Sequence, residues 1–334
     1  MKDAIKLLVP GARIVDVCRQ SDESINKSLE KVYSKAKVLK GVAFPTCVSV
    51  NNVVCHYSPS DSEVVLAEGD LVKIEMGAHI DGCPALVCHS MVVGSSADKP
   101  VEGDKADLLA ACHYGAEAAL RTLVPGNKNS LVTDTVQQVG AEFGVSPIEG
   151  MLSFQIERNE LEGTKQIIFN PTAEQRKLHE ECTFQMYESY VVDIVMSNGD
   201  CKLKDTNEKA SIFRKNNITY QLKMKSSRAL LSEVNERFGS MAFRLDNLND
   251  PKKSKLGMSE CIKHKLLTPF DVMQVKEGDL AARFMFTVLL MPNGPLKITD
   301  YNFDPLTIKT NISNQDPKIT ALLAQPVRVK QEKK

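Results

Sequence analysis

The sequence predicts an α+β fold, and three observations carry that prediction. Runs rich in β-branched residues and closed by turn formers come in pairs in both halves of the chain. Amphipathic helical repeats separate them. One acid sits inside an apolar strand-like run in each half, Glu75 in KIEMGAHIDG and Asp193 in VVDIV. The echo between these two segments points to a pair of related halves, roughly 1–145 and 146–323, without a close internal repeat.

Taken in order, the segment from Ser21, DESINKSLEKVYSK, reads as a helix with Ser21 as N-cap, Asp22 and Glu23 in the first turn, and Ile25, Leu29 and Val32 on one face. KGVAFPTCVSVNNVVCHYSP reads as strand, loop, strand, and residues 70–90 as a meander of short strands with Gly77 and Gly82 at its turns. Two helices follow, ADLLAACHYGAEAALRTL closed by Pro125 and Gly126, and TDTVQQVGAEF closed by Gly144. In the second half, residues 183–200 read as a strand pair. A helix from Ser226 or Ser227 carries Leu230, Leu231, Val234 and Phe238 on one stripe, and AARFMFTVLLMPNGP is a strongly apolar strand with a Pro-Asn-Gly turn. Residues 324–334 read as a basic, mobile tail.

The chain has 334 residues, 43% hydrophobic and 25% charged, which is enough apolar material for one large domain over 1–323. Lys+Arg and Asp+Glu are both 42, so net charge does not argue for a polyanionic partner, and any basic surface must come from local clusters. Nine scattered cysteines with no CxxC pair fit reduced thiols rather than a disulfide framework or a zinc cluster. No apolar run approaches the length of a membrane span, and the opening MKDAIKLLVPG lacks the core of a secretory signal.

AFPTCVSVNNVVCHYSP and KIEMGAHIDG resemble consecutive segments of type 2 methionine aminopeptidases. EGDLVKIEMGAHIDG, IIFNPT, LKMKSSRALLSEVNERF and RFMFTVLLMPNGPLKIT resemble more closely still a non-catalytic branch, the proliferation-associated, ErbB-receptor-binding proteins. The resemblance spans roughly 5–323. It implies the pita-bread fold, a curved antiparallel sheet flanked by helices in pseudo-two-fold halves.

Active members of that superfamily bind two metal ions through two Asp, one His and two Glu. Closely spaced cations need carboxylates between and around them, and the metals then generate a hydroxide. Carried over residue by residue, the ligand positions fall on Glu75, Leu86, Phe154, Asp193 and Met285, and a substrate-contacting histidine falls on His56. Leu86, Phe154 and Met285 cannot coordinate a hard ion. The resemblance therefore implies a pseudo-aminopeptidase with no catalytic residue, metal or cofactor, although the residues leave open one weakly held ion between Glu75 and Asp193. Asp81 reads as an Asp-Gly turn rather than a rescuing ligand, and His79 and His89 as structural histidines. Glu75 and Asp193, if buried together, are expected to raise each other's pKa and share a proton.

Basic clusters are the candidates for binding: Arg214, Lys215, Lys223, Lys225 and Arg228; then Lys252, Lys253 and Lys255; then Lys263 and Lys265. Lys223 and Lys225 stand just before a helix N-terminus, whose amides also favour phosphate. Each cluster read alone is more readily a solvated charged face. The resemblance implies contact with the large ribosomal subunit and rRNA, in ribosome assembly, translation and growth regulation, read through duplex shape and phosphates. It implies a cytoplasmic and nuclear or nucleolar location. The rival reading is a protein-interaction hub in transcriptional repression or receptor signalling. For that reading ITALL, with Ile319, Leu322 and Leu323, resembles a groove-docking helix whose alternative is packing on its own domain. Behind both stands a metal-dependent methionine aminopeptidase. The family also carries a further upstream helix and a longer Lys-rich tail than RVKQEKK, so apolar surface is expected around LLVPG.

Overall fold

The computed structural model describes residues 1–299 and 302–328. Seven strands dominate it: β1 (Lys40–Val50), β2 (Leu71–Ile80), β3 (Cys83–Val92), β4 (Leu152–Ile156), β5 (Gln166–Ile168), β6 (Ser189–Ser197) and β7 (Ala281–Met291). They join antiparallel in the order β1-β2-β3-β7-β6-β4-β5, with β8 (Gly294–Lys297) beside β7. Nearly every residue of β6 and β7 is buried, because both faces of the sheet are covered, and their sequences accordingly read as continuous apolar runs. Asp81 and Gly82, both at positive φ, make the two-residue turn between β2 and β3, as the Asp-Gly pair predicts. Gly77 is not at a turn. It lies inside β2 opposite Leu86, and a Cβ there would collide with the Leu86 side chain.

Helix α1 (Ile14–Glu30) packs on β1, α2 (Asp104–Thr122) on β6 and β7, and α3 (Asn129–Glu142) on α2. By sequence α2 and α3 belong to the first half, yet α2 covers strands of the second. The main core lies under α2, where Leu108, Cys112 and Ala119 meet Ile194, Met196 and Phe286. Helix α4 (Lys225–Arg237) and helix α5 (Pro251–Lys263) pack together at Gly257, where a Cβ would press on the Ser226 backbone, and Ser227 Oγ donates to the Gly257 carbonyl at 3.2 Å. The short α6 (Pro317–Leu323) closes the order.

Four expectations need correction. Helix α1 begins seven residues before Ser21, which is buried within it, and Asp22 accepts bonds from the Thr46 amide and hydroxyl at 2.8 and 2.7 Å. Of residues 183–200 only Ser189–Ser197 form a strand of the sheet, paired to β7 rather than to a neighbour in sequence. Around LLVPG, Leu8 packs with Ile14 and Val17, and it is Val9 that is exposed. The described start of the tail lies on the body: Arg121 donates to the Gln325 carbonyl, and Arg328 to Asn293. Residues 329–334 lie outside the described residues.

The two halves of the sheet meet at β3 and β7, which share the single ladder pair Cys88–Met285. Hydroxyls complete the seam on either side. Ser90 Oγ accepts from the Arg283 amide and donates to its carbonyl, both at 2.7 Å, while Thr287 Oγ1 accepts from the Leu86 amide at 2.8 Å and donates to its carbonyl at 2.9 Å. All four residues are buried. Ser90→Ala or Thr287→Val strands a buried backbone donor and acceptor, so each is expected to cost about 1–3 kcal/mol in chemical denaturation. A cost below about 0.5 kcal/mol would show that the backbone finds other partners.

Candidate functional site

Strand register builds the site. Glu75 on β2 faces Cys88 on β3, Cys88 faces Met285 on β7, and Met285 faces Asp193 on β6, so one row crosses the middle of the sheet. Arg283 stands two residues before Met285 on β7 and shares its face. Its guanidinium takes both acids at once. Nη1 and Nη2 donate to the Glu75 oxygens at 2.6 and 3.0 Å, and Nε and Nη2 donate to the Asp193 oxygens at 2.8 Å each. Nη2 also lies 3.6 Å from the Met285 sulfur. Arg283, Glu75 and Asp193 are 3%, 4% and 5% exposed.

Burial pushes the Asp193 carboxyl above its ordinary value, and the adjoining guanidinium only partly offsets this. Burial opposes the charge on Arg283, but the two carboxylates outweigh it and hold its pKa well above the ordinary value. This corrects the expectation of two acids sharing a proton: they share a guanidinium. Arg283 was missed in the sequence, although a cation in the apolar run AARFMFT carries the same signal as Glu75 and Asp193, a buried charge that requires a partner.

The residues do not fit a two-metal centre. All four carboxylate oxygens of Glu75 and Asp193 are engaged by Arg283. Leu86, Phe154 and Met285 line the adjoining cavity and offer no hard oxygen. Among the described residues no group of three or more His, Cys, Asp or Glu could hold a metal ion.

That cavity, about 190 Å³, is also lined by His56, Phe44 and Phe270. His56 adopts φ +66° and sets Nδ1 3.0 Å from the Asp271 carbonyl, to which Nδ1–H donates. Its ring meets Phe270 edge-on at 5.3 Å. Asp81 lies away from the cavity, paired to Arg158 at 2.8 Å. His79 is buried beside a separate polar cavity of about 480 Å³ under α1, and His89 is buried against Phe284.

The basic residues divide by what they touch. Arg214 lines the cavity, pairs with Glu162 at 2.8 Å and lies over the Phe270 ring, so it is not part of a free basic face. Arg228 donates to the Leu222 and Lys223 carbonyls at 2.9 Å and braces its own turn. An acid already stands at the approach to the α4 N-terminus: the Glu260 carboxylate accepts from the Lys223 and Met224 amides, just ahead of the first turn, at 2.8 and 3.1 Å, and its charge disfavours phosphate there. Lys223, Lys225, Lys252, Lys253, Lys255, Lys263 and Lys265 are exposed and form no ion pair among the described residues, and Lys215 is half-buried. The Glu260 contacts and the Tyr220–His264 stack, 3.8 Å between centroids, bring Lys223 and Lys225 to the Lys263 and Lys265 end of the helix pair. Lys252 and Lys253 begin α5, about 15 Å away along its axis. The lysines thus form two patches. In α6, Ile319 is 3% exposed and packs with Ala118 and Val139, and the half-buried Leu322 and Leu323 pack against the same cluster, so the ITALL face packs on its own domain.

Residues 1–201 match the model of metallopeptidase family M24. The chain belongs to that family. Within M24 it lies in the branch of proliferation-associated, methionine-aminopeptidase-like proteins. ERBB-3 BINDING PROTEIN 1 of Solanum tuberosum is 42% identical over 97% of this chain and 83% of its own length. A Schizosaccharomyces pombe protein named Curved DNA-binding protein is 40% identical over the whole of this chain and 88% of its own. A solved structure of a thermophilic Arx1 superposes with TM-score 0.91 at 30% identity, over 98% of this chain and 94% of that one. The M24 architecture seen here is the pita-bread fold that the sequence resemblance implied.

Proposed function

We propose that this M24 protein is a non-catalytic member of the family that binds the large ribosomal subunit and structured RNA, in the cytoplasm and nucleus, and acts in ribosome assembly, translation and growth regulation. The observation that carries the non-catalytic half is the Arg283 fork: the two acids left at the metal-ligand positions are saturated by a side chain of the protein itself. Glu75, Leu86, Phe154, Asp193 and Met285 are read as the vestiges of that metal site, and His56 as the vestige of its substrate pocket.

The binding half is supported by the exposed lysines of the α4–α5 pair, which form no ion pair among the described residues. They offer phosphates a mobile cationic surface without base-specific chemistry. The name of the fission-yeast relative, Curved DNA-binding protein, supports a nucleic-acid partner in general. The packing of ITALL on its own domain takes support from the hub reading.

Co-sedimentation with purified large ribosomal subunits over a salt series tests this. Wild type is expected to pellet stoichiometrically at low salt and to release as salt rises. Lys223→Glu/Lys225→Glu/Lys263→Glu/Lys265→Glu is expected to bind weakly, with its log–log salt slope reduced by about 0.9 for each phosphate it no longer neutralises. Equal binding by both proteins would move the interface elsewhere, and no binding by wild type at low salt would sink the ribosome reading.

A further inference from the structure

We propose that the Arg283 guanidinium is this chain's resident cation: it closes a cation site built by Glu75 and Asp193, braces the two halves of the sheet through it, and bars divalent metal ions from it. Glu75 stands on β2 and Asp193 on β6, two strands drawn from opposite halves of the chain and separated in the sheet by β3 and β7. Two carboxylates buried to 4% and 5% exposure must be protonated, bound to a metal, or matched by a fixed cation. Here the third solution holds, with four N–H···O bonds at 2.6–3.0 Å. Because the cation is tethered to β7 next to the Cys88–Met285 seam, the brace needs no ion from solution. The planar fork reaches both acids in the sheet's own plane of register, which a point charge on a longer stem would not do bidentately.

The acids themselves are intact, so removing only the guanidinium should reopen a site that two carboxylates and water can offer to a divalent ion. This inference goes beyond the non-peptidase reading but shares its site, and the experiment separates the two. Manganese binding is measured by the EPR signal of free Mn2+ for wild type, Arg283→Ala, and Arg283→Ala/Asp193→Asn, with circular dichroism as the check of folding. Wild type is expected to show no saturable binding. Arg283→Ala is expected to take one Mn2+ per chain at least about tenfold more tightly than wild type, and the double variant to lose it. If Arg283→Ala is unfolded as isolated, refolding it with millimolar Mn2+ is expected to restore the native spectrum, and Arg283→Gln, which keeps the stem without the charge, repeats the titration. A folded Arg283→Ala no better than wild type, binding that survives Asp193→Asn, or refolding indifferent to Mn2+ would each overturn the proposal alone. One Mn2+ bound to wild type through Asp193 would overturn the non-peptidase reading with it.

Discussion

Arg283→Met is expected to destabilise the fold by about 3–5 kcal/mol, read as a lower urea midpoint at unchanged slope. The methionine fills the stem's volume but leaves Glu75 and Asp193 buried and uncompensated at the centre of the sheet. Most of that cost belongs to the stranded acids rather than to the missing hydrogen bonds. Glu75→Gln/Asp193→Asn/Arg283→Met removes all three charges and is therefore expected to recover most of the stability, ending closer to wild type than the single variant does. Arg283→Lys should fall between them, since an ammonium keeps the charge but cannot serve both carboxylates bidentately. A single-variant cost below about 1 kcal/mol, or a triple variant worse than the single, would mean that the knot is not the electrostatic unit its geometry describes.

Glu75 and Asp193 were legible as site residues because an acid inside an apolar run is anomalous, and the resemblance located both. Arg283 is anomalous in the same way. What hid it is register: the position the resemblance singles out on its strand is Met285, and only the cross-strand pairing reveals that a side chain two residues earlier reaches back between the acids. The cation that compensates two buried acids need not stand in their own row; it needs only the same face of a neighbouring strand.

The strands and most helices were legible from periodicity and turn residues, since β-branched runs and Asp-Gly or Pro-Asn-Gly turns encode them locally. The failures share one cause, a local signal recruited by a distant partner. Ser21, Asp22 and Glu23 look like a helix start, yet the Asp22 carboxylate serves Thr46 on β1 and the helix runs through them. The approach to the α4 N-terminus looks free in sequence, and the Lys223 and Met224 amides there are taken by Glu260, more than thirty residues later. The Ser90 and Thr287 hydroxyls carry no signal of seam-holding until β3 and β7 are known to be neighbours.

Acid should loosen the helix-covered side of the sheet, and the two buried histidines there set the window. His89 on β3 lies edge-on to Phe284 at 5.3 Å, and His113 on α2 lies 4.9 Å from the Phe303 ring. Burial, joined by the nearby His113 and Lys297, pushes His89 down to about 3. Burial likewise pushes His113 down to about 4, with Glu117 opposing and Lys297 and Arg121 assisting. Both folded values lie below the ordinary histidine value of 6.5, so the unfolded chain binds protons that the fold refuses. The stabilisation is complete above pH 6.5 and is lost as pH falls toward 4 and 3. Between pH 6.5 and 5 each histidine should cost about 2 kcal/mol. Asp193 works in the opposite direction, because a carboxyl raised by burial favours the fold as pH falls, so the total curve mixes both signs. His89→Phe isolates the histidine contribution. It keeps an aromatic ring against Phe284 and removes one titrating group, and its stability should fall by about 2 kcal/mol less than that of wild type between pH 6.5 and 5. Equal pH slopes for the two proteins in urea denaturation would show that His89 is protonated in the fold as readily as in the open chain.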